Sequence, residues 1–172
     1  APNHIFVEKE IENKLINELK KYIIEFYGAD PMESENISKL ENKQFLRTLK
    51  LLRDSELNKK ILFGGLYSKK NRKISPTLLK VITEKDLLIK KEIFSSLLPI
   101  MGVDHYLDAI KIIQKNSKPL AIYIFGGNKH IHKKISLITS SGSICINDVL
   151  LPVLIPNLPF GGVGESGMGK FH

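Results

Sequence analysis

The sequence predicts an α/β protein with a mainly parallel sheet flanked by helices, and three observations carry that prediction. Short apolar runs alternate with longer amphipathic stretches in the order strand, helix, strand, helix, strand, the pattern of right-handed βαβ units. One run, Leu120-Ala121-Ile122-Tyr123-Ile124-Phe125, is almost continuously apolar, as expected of a strand covered on both faces. The 172 residues, 42% of them hydrophobic, suffice for one sizeable core. No linker, repeat or low-complexity segment divides them, so a single domain over 1–172 is expected.

The elements follow in order. Ile5 to Val7 reads as a short strand. From Glu10 to Phe26 the apolar residues Ile11, Leu15, Ile16, Leu19, Tyr22, Ile23 and Phe26 keep a helical period, and Gly28-Ala29-Asp30-Pro31 ends the helix with breakers. A second helix is expected over about Asn42 to Asp54, with Phe45, Leu46, Leu49 and Leu52 on one face. Ile61-Leu62-Phe63 reads as a strand, then Gly64-Gly65 leads into a basic turn through Asn71. Ile74 to Ile82 is extended, and Ser75-Pro76 inside it suits an edge strand or a strand start. Leu97 to Val103 is a further strand, followed by an amphipathic helix from Tyr106 to Asn116 with Asp104 as its N-cap. After the strand Leu120–Phe125, Gly126-Gly127-Asn128 turns into a helix from Lys129 to about Thr139, and Ser143 to Ile146 is the last strand.

Composition narrows the function classes. Net charge is +8, which could serve a phosphate-rich partner. The lysines, however, are spread along the chain, and no aromatic residues alternate with them as a base-stacking platform requires; nucleic acid is not the expected partner. The apolar runs are too short to cross a bilayer, so no membrane partner is indicated. Cys145 is the only cysteine, consistent with a reducing compartment, and its place in Ser143-Ile144-Cys145-Ile146 suits a small buried hydrophobe. No basic-then-apolar leader opens the chain, and a cytoplasmic location is expected. The sequence opens on Ala1-Pro2-Asn3-His4-Ile5, a turn running straight into a strand, which suggests a fragment or a processed product. His130 and His132, two residues apart, diverge on a helix. His4, His105 and His172 have no cysteine or carboxylate set at ligand spacing. All five are expected to be surface histidines, and no metal site is expected.

Two segments stand out as sites. Five of the twelve glycines fall between Gly161 and Gly169, in Leu158-Pro159-Phe160-Gly161-Gly162-Val163-Gly164-Glu165-Ser166-Gly167-Met168-Gly169. Gly162-x-Gly164-x-x-Gly167 spells a dinucleotide fingerprint, but the strand-to-helix context that makes it work is missing. Gly164-Glu165-Ser166-Gly167-Met168 likewise fails as a nucleophile elbow at its fifth position. Glu92-Ile93-Phe94 lies on a connection before the strand Leu97–Val103. There a carboxylate could accept hydrogen bonds from paired hydroxyls and a phenyl ring could pack on a flat heterocycle; by spacing alone, a solvated Glu and a core Phe is the simpler expectation.

Taken together, Ile74-Ser75-Pro76-Thr77, Glu92-Ile93-Phe94 with Leu98-Pro99-Ile100, Lys118-Pro119-Leu120-Ala121-Ile122-Tyr123-Ile124-Phe125, Ser141-Gly142 with Asn147-Asp148-Val149, and Leu158–Gly169 resemble the aldehyde dehydrogenase superfamily, and its class 3 branch in particular. The resemblance covers essentially the whole chain. It implies most of a catalytic domain, with a strand used for oligomerisation, in an enzyme oxidising aromatic or fatty aldehydes to carboxylic acids with NAD or NADP. In that family a cysteine thiolate attacks the aldehyde, hydride passes to the nicotinamide, and water hydrolyses the thioester with help from a glutamate base. Carried onto this chain, Glu92 would hold the nicotinamide ribose hydroxyls and Phe94 would pack against the nicotinamide. Phe160, Gly161 and Gly162 would line the place where aldehyde and nicotinamide meet, and a homodimer is implied.

Two departures matter. The family's nucleophilic cysteine precedes the segment that here is Ala1-Pro2-Asn3; it, the glutamate base and the cofactor domain are expected upstream. No catalytic residue is therefore assigned within the chain, and Cys145 matches a different family position. The 172 residues alone are expected to be inactive. Ser95-Ser96 also replaces the family's Gly-Pro after Phe94, and losing that rigid turn is expected to loosen Glu92 and Phe94. The alternative reading is a degenerate or split-gene remnant that acts as a non-catalytic dimerisation module.

Overall fold

A computed structural model describes residues 2–169 of the chain; Ala1, and Lys170-Phe171-His172 with the last of the five histidines, lie outside them. The architecture is mixed α/β with a mainly parallel sheet flanked by helices. The residues gather into two compact units, Asn3–Asp104 and a second made of Pro2 with residues 105–169.

The first unit is built on a four-stranded sheet: β1 (Ile5–Glu8), β2 (Ile61–Phe63), β5 (Thr77–Val81) and β6 (Leu97–Val103), in the order β1-β6-β5-β2. β1, β6 and β5 are parallel, and β2 closes one edge antiparallel to β5. A two-rung hairpin, β3 (Tyr67–Ser68) with β4 (Lys73–Ile74), spans the basic turn. Adjacent β5 residues Leu78 and Leu79 are both fully buried, so this strand is covered on its two faces. Ser75-Pro76 separates β4 from β5 and marks a strand start, not an edge, because β5 lies between β6 and β2. Pro99 is tolerated on the internal strand β6 because the β1 ladder begins only at Ile100.

Helix α1 (Lys9–Tyr27) packs Ile16, with Leu15, Leu19 and Ile23, against Val7, Leu78 and Ile100 of the sheet. At about 100° per residue, the arc spanned by Ile16, Leu19 and Ile23 is centred near Glu12, while Ile11 and Tyr22 fall on its flank. Accordingly Glu12 is buried and Ile11, Tyr22 and Phe26 are exposed, against the expectation of a wholly apolar buried stripe. The Glu12 carboxylate accepts a hydrogen bond from the Lys80 ammonium of β5, which is what makes its burial tolerable. Helix α2 (Asn42–Leu57) buries Phe45, Leu49 and Leu52 but leaves Leu46 exposed. Helix α3 (Leu87–Lys90) is a single turn capped by Asp86, whose carboxylate takes the Leu88 N–H at 3.1 Å and the Lys60 ammonium at 2.6 Å.

The second unit pairs β7 (Ala121–Ile124) with β8 (Ser143–Ile146) in parallel register, Tyr123 opposite Cys145. Around them lie α4 (Tyr106–Lys115), α5 (Lys129–Ile138) and the short α6 (Leu151–Leu154). Three expectations change here. The N-cap of α4 is His105, whose Nδ1 accepts the Leu107 N–H at 3.3 Å, whereas Asp104 pairs with Lys9 at 2.9 Å in the first unit. Only Ile122 of β7 is buried; Tyr123 and Ile124 are half-buried and Phe125 is exposed, because two strands and short helices do not cover both faces. His132 is not a bare surface residue: it is half-buried, its Nε2 2.7 Å from the Gly126 carbonyl oxygen. Cys145 is buried and free, as the strand pattern predicts.

Candidate active site

The segment Lys91–Ser96 joins α3 to β6 with no hydrogen-bonding ladder of its own. Ile93, 2% exposed, is its anchor in the core. The neighbours on either side turn outward: Glu92 is exposed and the Phe94 ring is 79% exposed. Spacing alone favoured a core phenylalanine here, and the structure places the ring in the open instead. The reason is backbone direction. Phe94 has φ 47°, a left-handed conformation that bulky L residues avoid at a cost of about 1 kcal/mol or more, and with this backbone its side chain leaves the core.

Side chains from distant elements hold this conformation. The Asn3 carboxamide accepts the Ile93 N–H at 2.8 Å and donates to the Lys91 carbonyl at 3.0 Å. From α2, the Arg47 guanidinium donates to the carbonyls of Glu92, at 3.1 Å, and of Ile93, and the Gln44 carboxamide donates to the Phe94 carbonyl. Ser95-Ser96, expected to loosen the turn, is tied down as well. Ser96 accepts the Thr77 N–H at 2.9 Å through its carbonyl and donates its hydroxyl to the Ile74 carbonyl at 3.2 Å. The Ser95 hydroxyl takes the Leu97 N–H at 3.4 Å. These hydrogen bonds hold the Ser95-Ser96 turn ahead of β6.

Thr77 and Ser75 extend this order toward β2. Both are buried; the Thr77 hydroxyl accepts the Gly65 N–H at 3.0 Å and the Ser75 hydroxyl accepts the Leu66 N–H at 3.0 Å. The sequence does not mark the roles of Asn3, Gln44 and Arg47, since polar residues on a helix or beside a proline read as solvated, and it shows Ser75 and Thr77 only as part of the Ile74-Ser75-Pro76-Thr77 motif. Gln44 and Arg47 do share a helix face at i, i+3 spacing, the one signal that could have paired them.

The glycine run closes the second unit. Phe160, Gly161 and Gly162 are half-buried. A Cβ on Gly142 would stand 1.9 Å from the Gly161 carbonyl oxygen, and one on Gly162 would stand 2.2 Å from that of Ser166; backbone lies on backbone at both places, which only glycine permits. The Ser166 hydroxyl bridges the Val163 N–H, at 2.9 Å, and the Val163 carbonyl, at 3.0 Å, so it closes the turn. Upstream, Asn147 has φ 57° and accepts the Gly126 N–H at 3.1 Å. The Asp148 carboxylate gathers the N–H groups of Leu150, Leu151 and Val149, which hold its pKa below the ordinary aspartate value. Glu92 and Phe94 are therefore brought together on one segment of the first unit, and Phe160, Gly161 and Gly162 on one loop of the second.

The family model described as "Aldehyde dehydrogenase family" matches residues 1–172. The chain belongs to the aldehyde dehydrogenase family. It is 39% identical over its whole length to aldehyde dehydrogenase family 3 member H1 of Arabidopsis thaliana, covering 36% of that protein. It is 37% identical to the dimeric NADP-preferring aldehyde dehydrogenase of Rattus norvegicus, again over its whole length and 37% of the relative. Among solved structures, the substrate-bound state of Staphylococcus aureus AldH superposes with a TM-score of 0.94 at 35% identity, over 100% of this chain and 37% of that one. This chain thus spans little more than a third of the length of the aldehyde dehydrogenases it matches. Aldehyde dehydrogenase family 3 member B1 of Homo sapiens, 37% identical over the whole chain and 36% of the relative, carries the same family 3 designation as the Arabidopsis protein.

Proposed function

We propose that the chain forms part of a class 3-like aldehyde dehydrogenase that oxidises aromatic or fatty aldehydes to carboxylic acids with NAD or NADP, and that its two units are parts of one catalytic domain. The observation that carries the reading is the exposed, backbone-strained Phe94 beside an exposed Glu92 on a segment whose carbonyls are captured by other elements. Strain of that kind persists where the surroundings over-determine it, and it clusters at ligand clamps. The donor set fits a nicotinamide nucleotide: a carboxylate free to accept from vicinal hydroxyls, and a ring free to lie against a flat heterocycle. Bound there, the cofactor would supply the hydride acceptor for aldehyde oxidation. Glu92 would orient the ribose and Phe94 would pack against the heterocycle; for Phe160, Gly161 and Gly162 the lining role on the aldehyde side rests on the family resemblance.

No catalytic nucleophile is assigned to these residues, since Cys145 is buried in β8. The 172-residue chain alone is expected to leave NAD(P) unreduced with a fatty or aromatic aldehyde; turnover that Cys145→Ser abolishes would overturn this. In the full-length enzyme, Glu92→Gln should raise KM for the cofactor about ten-fold, as loss of charge-assisted hydrogen bonds implies, with aldehyde KM little changed. An unchanged cofactor KM would sink the site assignment.

A homodimer is part of the same proposal. The relatives' names include a dimeric enzyme, and among the described residues β8 pairs only with β7, so its other edge is open to a strand from a second copy. The exposed Ile146, Leu150, Leu151 and Leu154 that follow favour the same face, and they also suit the alternative of a non-catalytic dimerisation module; measured turnover of the full-length enzyme separates the two. No helix among the described residues is long and apolar enough to cross a membrane. A cytoplasmic location is part of the proposal and rests on the single, unpaired cysteine Cys145.

A further inference from the structure

We propose that Gln44 and Arg47 of α2, together with Asn3, are positioning residues that set the directions in which Glu92 and Phe94 face the cofactor. This rests on the reading of Glu92 and Phe94 as the cofactor-holding pair. Lys91, Glu92, Ile93 and Phe94 are four consecutive residues, and a backbone group of each is bonded to one of these three side chains. Asn3 lies some ninety positions away in sequence and α2 nearly fifty, so the segment is held from two directions.

Anchoring alone does not call for this arrangement. Ile93 is already fixed in the core, and carbonyls on an exposed connection could be satisfied by water. What the three side chains add is control of peptide-plane orientation on both sides of Ile93, and so of the Cα–Cβ directions at Glu92 and Phe94. Arg47 suits this task. Its planar fork reaches two successive carbonyls with fixed geometry, which a lysine ammonium cannot reproduce. Among the described residues it forms no ion pair, so its charge is directed wholly at neutral carbonyls. Gln44 is itself fixed: it sits in the first turn of α2, its N–H taken by the Glu41 carboxylate at 3.2 Å. By capturing the Phe94 carbonyl it helps to hold a residue in the left-handed region that would otherwise relax.

The test combines amide hydrogen exchange with steady-state kinetics on the full-length enzyme, using Arg47→Ala, Arg47→Lys, Gln44→Met and Glu92→Gln. In Arg47→Ala and Gln44→Met, exchange of the Ile93 amide, whose N–H is held by Asn3, should quicken about ten-fold or more while α2 and β6 keep their protection. Cofactor KM should rise several-fold with aldehyde KM unmoved, and Arg47→Lys should fall between Arg47→Ala and the parent. Gln44→Met keeps side-chain length without a donor, so it stays informative should Arg47→Ala fail to fold. Unchanged exchange at Ile93 would overturn the proposal, as would equal loosening of α2 and β6, which marks a general role in the fold. An unmoved cofactor KM in Arg47→Ala and Gln44→Met, with Glu92→Gln still raising it, would overturn it too. If Glu92→Gln itself leaves cofactor KM unmoved, the cofactor reading fails and this proposal with it, and the exchange result then separates that failure from a loose clamp.

Discussion

The two units fix their candidate site residues by opposite means. In Asn3–Asp104 the outward-facing pair Glu92 and Phe94 is held by long polar side chains reaching across the fold. The buried polar residues Glu12, Thr48, Ser55, Ser75 and Thr77 all belong to this unit. In residues 105–169 the loop bearing Phe160 is held mainly by backbone packing, where glycine lets one backbone rest on another, with the Ser166 hydroxyl closing its turn. The first means is tunable, since each hydrogen bond can be weakened separately. The second is nearly all-or-none, because an added methyl group meets main chain that cannot step aside. The two units should therefore differ sharply in how they answer to substitution.

The largest effect is expected at Gly142→Ala. Its Cβ would overlap the Gly161 carbonyl oxygen, and overpacking against main chain costs about 3 kcal/mol where nothing can yield. Thermal unfolding should show that loss, and exchange at residues 158–169 should quicken. A variant with parental Tm would remove the contrast between the units. Next comes Lys80→Met, which leaves the Glu12 carboxylate buried without its partner. Removing one member of a buried pair costs 3–5 kcal/mol at most; Lys80 is 37% exposed, so water can reach the site and about 2 kcal/mol is expected. Restoration by the double change Glu12→Leu with Lys80→Met would show that the pair fixes geometry and adds little net stability. Further down the scale, Thr48 has a buried hydroxyl with no hydrogen-bond partner among the described residues. Thr48→Val removes that unsatisfied group at nearly constant shape and should raise stability by up to about 1 kcal/mol in a denaturant titration. A loss of more than that would mean that the hydroxyl has a partner.

The same contrast decides what was legible in the sequence. Strand and helix positions follow from periodicity, which reports the dominant apolar face, and the register of β6 against β1 and β5 lies where the apolar runs are. The glycine loop announces itself by composition, because no other residue supplies that backbone freedom. The outward turn of Phe94 does not: it depends on Asn3, Gln44 and Arg47, which are near only after folding, and polar residues carry no pattern saying whether they meet water or a carbonyl. Glu12 was hidden for a related reason. A single Glu among apolar residues reads as an interruption of the stripe, and only the place of Lys80 on β5 makes it an interior position. Family resemblance is what puts Glu92 and Phe94 forward as site residues, but it does not say what holds them.

The smallest effect concerns His4, next to the clamp residue Asn3. Its ring meets Phe6 edge-on at 5.0 Å, and desolvation by burial lowers its pKa from the ordinary 6.5. The folded chain then binds fewer protons at this site than the unfolded chain as pH falls below 6.5, so the native state loses stability in that window. Above pH 6.5 both states are neutral here and the contribution vanishes. Glu41, Asp108 and Asp148 are shifted in the same direction, Glu41 by the N–H groups of Lys43 and Gln44, Asp108 by Lys111, and Asp148 by the N–H groups that follow it. They titrate at more acidic pH, below the ordinary carboxylate values, so their influence is separable from that of His4. Urea unfolding of the parent and of His4→Gln at pH 7.5, 6.5 and 5.5 should therefore show the parent losing ground to the variant on acidification. Parallel curves would mean that the ring is solvated when protonated and that the Asn3 end of the clamp is open to water. In that case the first unit would hold Glu92 and Phe94 chiefly through α2, and the contrast with the glycine loop would narrow to the side chains of Gln44 and Arg47.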